Sequence, residues 1–295
     1  SRIYLVWPTT PDFDEDQPPL DLLATVLGDG KSSRLYRTLV HDKQVARDVA
    51  VAHHAQEIAG EFFVQITVNP GREIEEVETL VWEEMDRVRS EPVGDLELER
   101  AKNRVETYHV RQLERVGGFG GRADQLNHFN ILCKDPDLIN TSLARYMAVQ
   151  SDDVQRVAQK VLGHRQVRLR VYPESQFKAS TTSIDRTVMP PAAPEPAFTP
   201  PSPIHRQLAN GLEIVVVEKR EMPVVSLGLF LKGGATNDPP GKPGLASFTA
   251  QMLQEGTESR SSQDLALAFE FMGAHLSTDA RREYAVLSTE TLTKH

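Results

Sequence analysis

A run of prolines near the middle of the chain constrains its fold more than any other feature. Seven prolines fall among the fifteen residues from Met189 to Pro203. Proline fixes the φ angle and lacks an amide hydrogen, so this stretch cannot belong to a helix or to a central strand. We therefore predict an extended, semi-rigid linker over residues 175–203. It would separate one domain, residues 1–174, from a second, residues 204–295.

The composition excludes several classes of protein. Of the 295 residues, 39% are apolar, which is enough for a packed core and excludes disorder throughout. No run of about 18 apolar residues occurs, so no transmembrane helix is predicted. The formal charge of −9 argues against a nucleic-acid-binding protein. A single cysteine, Cys133, excludes a disulfide framework and a thiolate zinc cluster within the chain.

Apolar periodicity in the first domain predicts strands and helices. Residues 62–68 alternate with a period of two and follow a strand-like run over 45–53, which predicts an antiparallel hairpin. Residues 151–162 form a helical pattern, with Ser151 as the N-cap and Gly163 at the C-cap position. Strands that are neighbours in sequence, together with runs of helices, predict an α+β fold in which helices back an antiparallel sheet.

The second domain begins with a hairpin, because Asn210-Gly211 lies between two apolar runs. A strand over 224–231, helices over 244–255 and 262–272, and a strand from Tyr284 onward follow. The chain ends before this set of elements is complete, so we expect a truncated domain. Since the chain also starts at a serine and opens directly into a strand, we expect it to be a segment of a longer protein.

Two glycine-rich segments are interpreted as structural. Gly28-Asp29-Gly30-Lys31-Ser32-Ser33 ends like a phosphate-binding loop, but Thr25 stands where that motif needs a glycine. A helical pattern rather than a strand precedes it. A connection between two helices is therefore favoured over nucleotide binding. Residues 117–121 contain four glycines flanked by helical patterns, which indicates a hinge or close helix packing.

A group of polar residues near the first hairpin only partly matches a metal-binding motif. His54 and Glu57 fit the first four positions of H-x-x-E-H, but Ile58 occupies the final position. The segment also lies at the end of a hairpin, where helical ligand spacing is unavailable. We interpret His53, His54 and Glu57 as solvated polar residues rather than metal ligands.

The most specific pattern lies in the second domain. The loop Asp238-Pro239 leads to Gly244-Leu245-Ala246, then to Ser247-Phe248-Thr249-Ala250-Gln251-Met252-Leu253, and Gly256-Thr257 follows. This order resembles the active-site region of the pitrilysin/insulinase family of zinc metallopeptidases, in which Gly-Leu-Ala precedes H-F-x-E-H-M-L. The resemblance covers residues 204–295 and implies the family's α+β half-domain.

The same resemblance implies that the metal site is lost in this chain. In the family, two histidines of the motif bind zinc and the glutamate between them activates water. The aligned positions here are Ser247, Gln251 and, for the glutamate, Ala250. Serine and glutamine are poor zinc ligands beside imidazole, and alanine cannot act as a base. The family's third ligand would fall beyond His295, so the resemblance implies no metal ligands and no catalytic residues in this chain.

The first domain resembles the family's half-domain that carries no zinc. Residues 28–35 are similar to its G-x-G-x-S-S-R-L signature, and residues 96–102 to a later E-L-x-x-A-K helix. The resemblance covers residues 2–174. Some family members hold substrate with an arginine and a tyrosine seven residues apart. The aligned positions here are Val40 and Arg47, so that substrate-binding pair is also expected to be absent.

Large members of the family contain four half-domains in one chain and enclose unfolded peptides in a clamshell. The resemblance implies that residues 1–174 are a non-catalytic second half-domain, 175–203 the linker, and 204–295 a truncated, degenerate third half-domain. This part of a zinc metalloendopeptidase would enclose substrate, form the chamber wall and supply a hinge. Zinc and catalysis would belong to the parent protein, and the fragment alone is expected to be inactive.

The resemblance also implies partners. These are the remaining half-domains of the parent chain or a catalytic partner subunit, together with a peptide substrate. An alternative is a non-catalytic subunit or scaffold of a peptidase-like complex. An H-x-x-E-H motif encoded before Ser1 would favour the first reading. Bacterial family members of this size are often periplasmic, which suggests that location, although the residues themselves do not identify the compartment.

Overall fold

The computed structural model describes residues 1–173, 202–220 and 222–295. Residues 175–201 of the predicted linker therefore lie outside the described residues. The chain divides into two compact units. The first joins Ser1–Tyr172 with Pro223–His295, and the second is Pro173–Met222.

A four-stranded antiparallel sheet organises the first 172 residues. Its strands are β1 (Arg2–Thr9), β2 (Ala46–Ala55), β3 (Gly60–Val68) and β4 (Val167–Val171), in the order β2-β3-β1-β4. Strands β2 and β3 form the antiparallel hairpin predicted from the alternating pattern. Strands β1 and β4, the first and last of this sheet in sequence, pair with each other, so both ends of this part of the chain lie side by side.

Helices cover one face of this sheet, as the sequence predicts for an α+β fold. Alternate residues of the central strands point toward them, with Leu5 opposite Val64 and Trp7 opposite Phe62. The buried apolar cluster they form extends from Ile3 to Leu162 in sequence. The helices are α1 (Gln17–Gly28), α2 (Ile74–Ser90), α3 (Asp95–Glu114), α4 (Arg122–Cys133), α5 (Ser142–Ala148) and α6 (Ser151–Val161), with a π-helical segment at Tyr36–Asp42 and a 3₁₀ turn at Pro136–Asn140.

The ends of α6 differ from the prediction by one residue each. Gln150 rather than Ser151 is the N-cap, and its amide donates to the Asp153 carboxylate at 2.9 Å. The Ser151 hydroxyl is used elsewhere, because it donates to the carbonyl of Val93 before α3. At the other end Leu162 is the C-cap. The carbonyl of Gly163 accepts a hydrogen bond of 2.7 Å from Trp7 Nε1, which ties this end to the core.

In β4 the charged side chains lie on the core-facing side of the sheet and the apolar side chains lie on the other side. Val167 and Leu169 are exposed, while Arg168 and Arg170 align with the core-facing residues of β1. Arg170 donates from Nε and Nη2 to the buried Glu78 carboxylate of α2, at 2.9 and 2.6 Å. At this edge of the sheet, the ion pair between Arg170 and Glu78 therefore takes the place of the apolar contacts that core-facing positions usually make.

Residues 223–295 form a smaller layer of sheet and helices. Strands β7 (Val224–Lys232), β8 (Ser277–Ala280) and β9 (Tyr284–Leu292) pair antiparallel in the order β7-β9-β8. Helices α7 (Leu245–Met252) and α8 (Ser262–Phe271) match the predicted helices, although α7 is shorter. Strand β8 was not predicted. Many large apolar side chains here are exposed, among them Leu227, Leu229, Phe230, Phe248 and Met252.

The second unit contains the hairpin predicted around Asn210-Gly211. Strands β5 (Ile204–Gln207) and β6 (Glu213–Val216) pair antiparallel. Gly211 has φ +86°, a conformation that glycine adopts without strain. Across the described residues, no helix is both long and apolar enough to span a membrane.

Candidate functional site

The Asp-Pro loop before α7 holds the start of that helix. The Asp238 carboxylate accepts hydrogen bonds from the amides of Gly244 and Ala246, at 2.6 and 2.8 Å. A carboxylate at this position satisfies amides that have no partner within the helix and interacts favourably with the helix dipole. Gly244, at φ +90°, provides the turn into the helix. The start of α7 is therefore held by a side chain from the preceding loop.

The side chains on α7 do not fit a zinc ion. Ser247 and Gln251 are four residues apart and exposed, so they project from the same side of the helix. Ala250 is 2% exposed and presents only a methyl group. Hydroxyl and amide groups are poor zinc ligands, and the helix has no acidic or basic side chain. Within the described ranges, no group of three or more His, Cys, Asp or Glu could hold a metal ion.

The two positions aligned with the family's substrate-binding pair lie on different elements. Val40 belongs to the π-helical segment and packs, partly buried, against the core. Arg47 lies on β2 at a bulge between Ala46 and Asp48, where its side chain is exposed. Neither residue borders the cavity described below.

The glycine-rich segment 28–33 connects α1 to the π-helical segment, as predicted, but it also surrounds a carboxylate. The Lys31 amide donates to Glu270 Oε1 at 2.9 Å, and the Ser32 hydroxyl donates to Glu270 Oε2. Gly30 has φ +89°, and a Cβ there would lie 2.3 Å from Glu270 Oε1. The similarity to a phosphate loop thus has a physical basis, because backbone and hydroxyl donors here surround an anion. The sequence did not reveal that the anion is a glutamate of the same chain.

Arg100 of α3 completes the surroundings of this carboxylate. Its Nη1 donates to the Ser32 hydroxyl and lies 3.6 Å from Glu270 Oε2. Arg100 is buried, with 2% of the residue exposed. Burial lowers the pKa of Arg100, although the nearby Glu270 carboxylate opposes that change. Its Nε and Nη2 are buried without a hydrogen-bond partner among the described residues. We call Lys31, Ser32 and Arg100 the carboxylate socket.

His53 is not a solvated residue, so the interpretation from sequence is wrong at this position. It is buried on the helix side of β2, opposite Phe62. Its Nδ1 lies 2.7 Å from Asp21 Oδ1, and its Nε2 lies 3.0 Å from Thr9 Oγ1. The Tyr146 hydroxyl donates to the other oxygen of Asp21 at 2.7 Å. Burial and the Asp21 carboxylate raise the pKa of Tyr146, so this hydroxyl remains a donor.

The order hydroxyl, imidazole and carboxylate in this network is that of a hydrolase triad, but the surroundings indicate a structural role. Thr9 does not border the adjoining cavity, so its hydroxyl is not presented to a ligand. The carboxylate of Asp21 is also shared with Tyr146. His54 and Glu57 are exposed, as predicted, and His54 lies 3.7 Å from Glu61.

A cavity of about 690 Å³ lies beside this network and is bordered by α1, α3, α4, α5 and residues 273–275. The charged groups at its wall are largely paired with each other. Arg104 donates to both oxygens of Asp29, at 2.7 and 2.6 Å, and His128 lies 2.7 Å from Asp12. The segment 117–121 joins α3 to α4 beside it, and Cys133, at the end of α4, is partly exposed.

Two family descriptions match separate parts of the chain. Residues 1–105 match the Peptidase M16 inactive domain. Residues 213–295 match Insulinase (Peptidase family M16). The two matches together cover more than half of the chain.

Curated relatives match over shorter lengths. The chain is 33% identical over 110 residues to mitochondrial-processing peptidase subunit beta of Rattus norvegicus, covering 37% of this chain and 22% of that protein. It is 28% identical over 166 residues to an uncharacterized zinc protease of Streptomyces coelicolor, covering 56% of this chain and 35% of that protein. The chain therefore spans about a fifth to a third of the length of these relatives.

Solved structures share the fold over about three fifths of the chain. A Bordetella pertussis protein named as a zinc protease is 25% identical, with a TM-score of 0.51, covering 59% of this chain and 95% of that one. An inactive peptidase domain from Bordetella parapertussis is 23% identical, with a TM-score of 0.53, covering 60% of this chain and 93% of that one. These likenesses show a shared fold, and the two family matches, over residues 1–105 and 213–295, show that the chain belongs to the insulinase (M16) family of peptidases.

Proposed function

We propose that this chain is a non-catalytic part of a larger zinc metallopeptidase that acts on unfolded peptides. It would enclose substrate and form part of the chamber wall and hinge, while the chemistry takes place elsewhere in the parent protein. The observation that carries the proposal is helix α7, which keeps its capped start while Ser247, Ala250 and Gln251 replace the two imidazoles and the carboxylate. The names of the relatives and the short share of their length that the chain spans support the same conclusion.

In this proposal the chain contains three regions. Residues 1–174 are a non-catalytic second half-domain, 175–203 a proline-rich linker, and 204–295 a truncated third half-domain. Support comes from the two family descriptions, which match on either side of the prolines. Zinc would be bound by other residues of the parent protein, and Val40 and Arg47 would take no part in holding substrate.

Zinc titration of the chain tests the proposal. Calorimetry at neutral pH should detect no stoichiometric zinc site in the unmodified protein. Replacing Ser247→His together with Gln251→His should create weak zinc binding, because two exposed imidazoles would then lie on one side of α7. Both positions are exposed, so the double variant avoids placing a charge at the buried Ala250.

The matched control is Ser247→His with Thr249→His. It adds the same two imidazoles on the same exposed helix, but residues two apart do not face each other. This control should bind zinc more weakly than the first double variant. Tight stoichiometric zinc in the unmodified chain, with peptide hydrolysis that a chelator abolishes, would refute the proposal.

A second candidate is a non-catalytic subunit that works beside a separate catalytic chain. It is favoured by the likeness to a mitochondrial-processing peptidase protein that is itself named as a subunit. The gene sequence upstream of the codon for Ser1 distinguishes the two candidates. An encoded H-x-x-E-H motif supports a single-chain peptidase, and its absence supports a partner subunit.

A further inference from the structure

Helix α3 carries a line of buried polar side chains that the proposed function does not use. Arg100, Asn103 and Thr107 follow the spacing of one helix face, and they are 2%, 9% and 2% exposed. Polar side chains, and arginine above all, are rarely buried unless a partner compensates them. We call these three residues the α3 stripe. Their burial therefore calls for compensating partners on another part of the chain.

The C-terminal end of α8 covers the α3 stripe with three matched contacts. The Glu270 carboxylate enters the carboxylate socket beside Arg100. Asn103 Nδ2 donates to the carbonyl of Phe271 at 2.8 Å. Gly273, at φ +62°, lies so close to α3 that a Cβ would be 2.1 Å from Thr107 Oγ1.

The surrounding charges on the two sides are complementary. Lys31 is 2.8 Å from Glu255, which lies between α7 and α8. Arg111 pairs with Glu290 of β9, and Glu106 pairs with Lys294. Residues 1–172 therefore contribute two cations and one anion, and residues 223–295 contribute a group of opposite charge to each of them. Exposed pairs of this kind add little affinity but favour one orientation over others.

We propose that the carboxylate socket and the α3 stripe are a recognition surface for a helix end that carries a glutamate three residues before a glycine. In this chain Glu270 and Gly273 at the end of α8 are its occupant, and Glu270 determines that residues 223–295 dock on residues 1–172. The surface is separate from the degenerate positions of α7, so the outcome of the zinc titration does not bear on it.

The test compares Glu270→Ala with Glu258→Ala in the full chain by hydrogen–deuterium exchange. Glu258 is an exposed glutamate of the same segment. In Glu270→Ala, amides of α3 near residues 100–107 and amides of β7 and β9 should exchange about tenfold faster or more, since hydrogen bonds to a charged group are lost. Amides of β3, in the separate core, should be unchanged, and Glu258→Ala should match the unmodified chain throughout.

Two further variants separate recognition from general loss of structure. In Glu270→Gln the side-chain carbonyl can still accept the hydrogen bond from the Lys31 amide. This variant should therefore show a smaller increase in exchange than Glu270→Ala. Asn103→Ala removes only the contact to Phe271 and should raise exchange in residues 223–295 without affecting β3. Unchanged exchange in both Glu270→Ala and Asn103→Ala would overturn the proposal. Loss of β3 protection in Glu270→Ala would also overturn it, because Glu270 would then support the whole fold.

Discussion

Asp16 is a single buried carboxylate that joins two helices. It is the N-cap of α1, its side chain is 2% exposed, and it accepts hydrogen bonds from Arg156 and Lys160 of α6, at 2.6 and 2.5 Å. Burial, the largest single influence, raises the pKa of Asp16, but the hydrogen bonds and the charges of Lys160 and Arg156 together outweigh it, so the net pKa lies below its ordinary value of 3.8. The ionised form is therefore the one that stabilises the fold.

Asp16→Asn should destabilise the protein by about 2 kcal/mol at pH 7, because charge-assisted hydrogen bonds are lost. Since the folded pKa is depressed, this contribution is complete above the unfolded pKa of 3.8 and is lost as pH falls through the folded pKa. Urea unfolding of both proteins between pH 7 and pH 3 should show the difference shrinking. The exposed Asp152→Asn is the control, and an equal loss in both variants would contradict the assignment.

His53 shows what the sequence could not indicate at this scale. Alternation along β2 is interrupted by the bulge between Ala46 and Asp48, which changes the face on which later residues lie. Without knowing the bulge, the pair His53-His54 gives no sign of which ring is buried. The Asp21 and Tyr146 partners come from helices that are distant in sequence.

At the scale of elements, β4 depends on charge rather than on apolar packing. Glu78 of α2 is buried and accepts hydrogen bonds from Arg168 and Arg170 on the helix side of this edge strand. The apolar residues of β4 lie on the other face, where they are exposed. Pairing with β1 and the contacts to Glu78 therefore hold the strand in place.

Glu78→Gln should loosen β4 locally. Removing the charge weakens the hydrogen bonds from both arginines, so amides of β4 should exchange faster while those of β3 keep their protection. Exchange measured by mass spectrometry on peptides covering 165–172 and 60–68 tests this. Glu76→Gln is the matched control, because Glu76 lies on the same helix in an exposed pair with Arg72. If peptide 165–172 behaves identically in both variants, the ion pairs do not hold β4.

The elements themselves were largely predictable, since periodicity and turn residues act locally. The hairpin β2-β3, the hairpin at Asn210-Gly211 and helix α6 follow from such patterns. Strand β8, with Ser277-Thr278-Asp279, has no apolar alternation and exists through its pairing with β9. The cap of α6 was misplaced because Ser151 has a competing acceptor, Val93, outside the helix.

At the scale of the whole molecule, the buried apolar cluster of the described residues lies between Ile3 and Leu162. Residues 223–295 contribute a three-stranded sheet and two helices with many exposed apolar side chains. Their contacts to residues 1–172 include the α3 stripe, the carboxylate socket and several ion pairs, which are all polar. The two parts should therefore differ in their ability to fold alone.

Residues 1–173 expressed alone should fold cooperatively as a monomer, because the apolar cluster remains complete. Residues 204–295 alone should self-associate or stay unfolded, since they lose their polar contacts to residues 1–172 while large apolar side chains such as Leu227, Phe230 and Phe248 remain exposed. Light scattering after size exclusion, combined with thermal unfolding, measures both properties. A monodisperse, folded monomer of residues 204–295 would contradict this expectation.

The docking of these parts was not predictable in detail from the sequence. Polar residues at helical spacing, such as Arg100, Asn103 and Thr107, are the usual pattern of a solvated helix face. Their partners lie some 170 positions away in sequence, for example Asn103 with Phe271. The family resemblance indicated that the metal site is lost, but it gave no information about the carboxylate socket.

The close approach of Gly30 to Glu270 has a consequence for how related sequences vary. A side chain at position 30 would collide with the carboxylate that fills the socket, and the positive φ there also disfavours most residues. In a homologue with a shorter side chain than glutamate at position 270, this collision does not occur. Asparagine or aspartate then becomes acceptable at position 30. Substitutions at these two sites should therefore be correlated across the family, although 240 positions separate them in the chain.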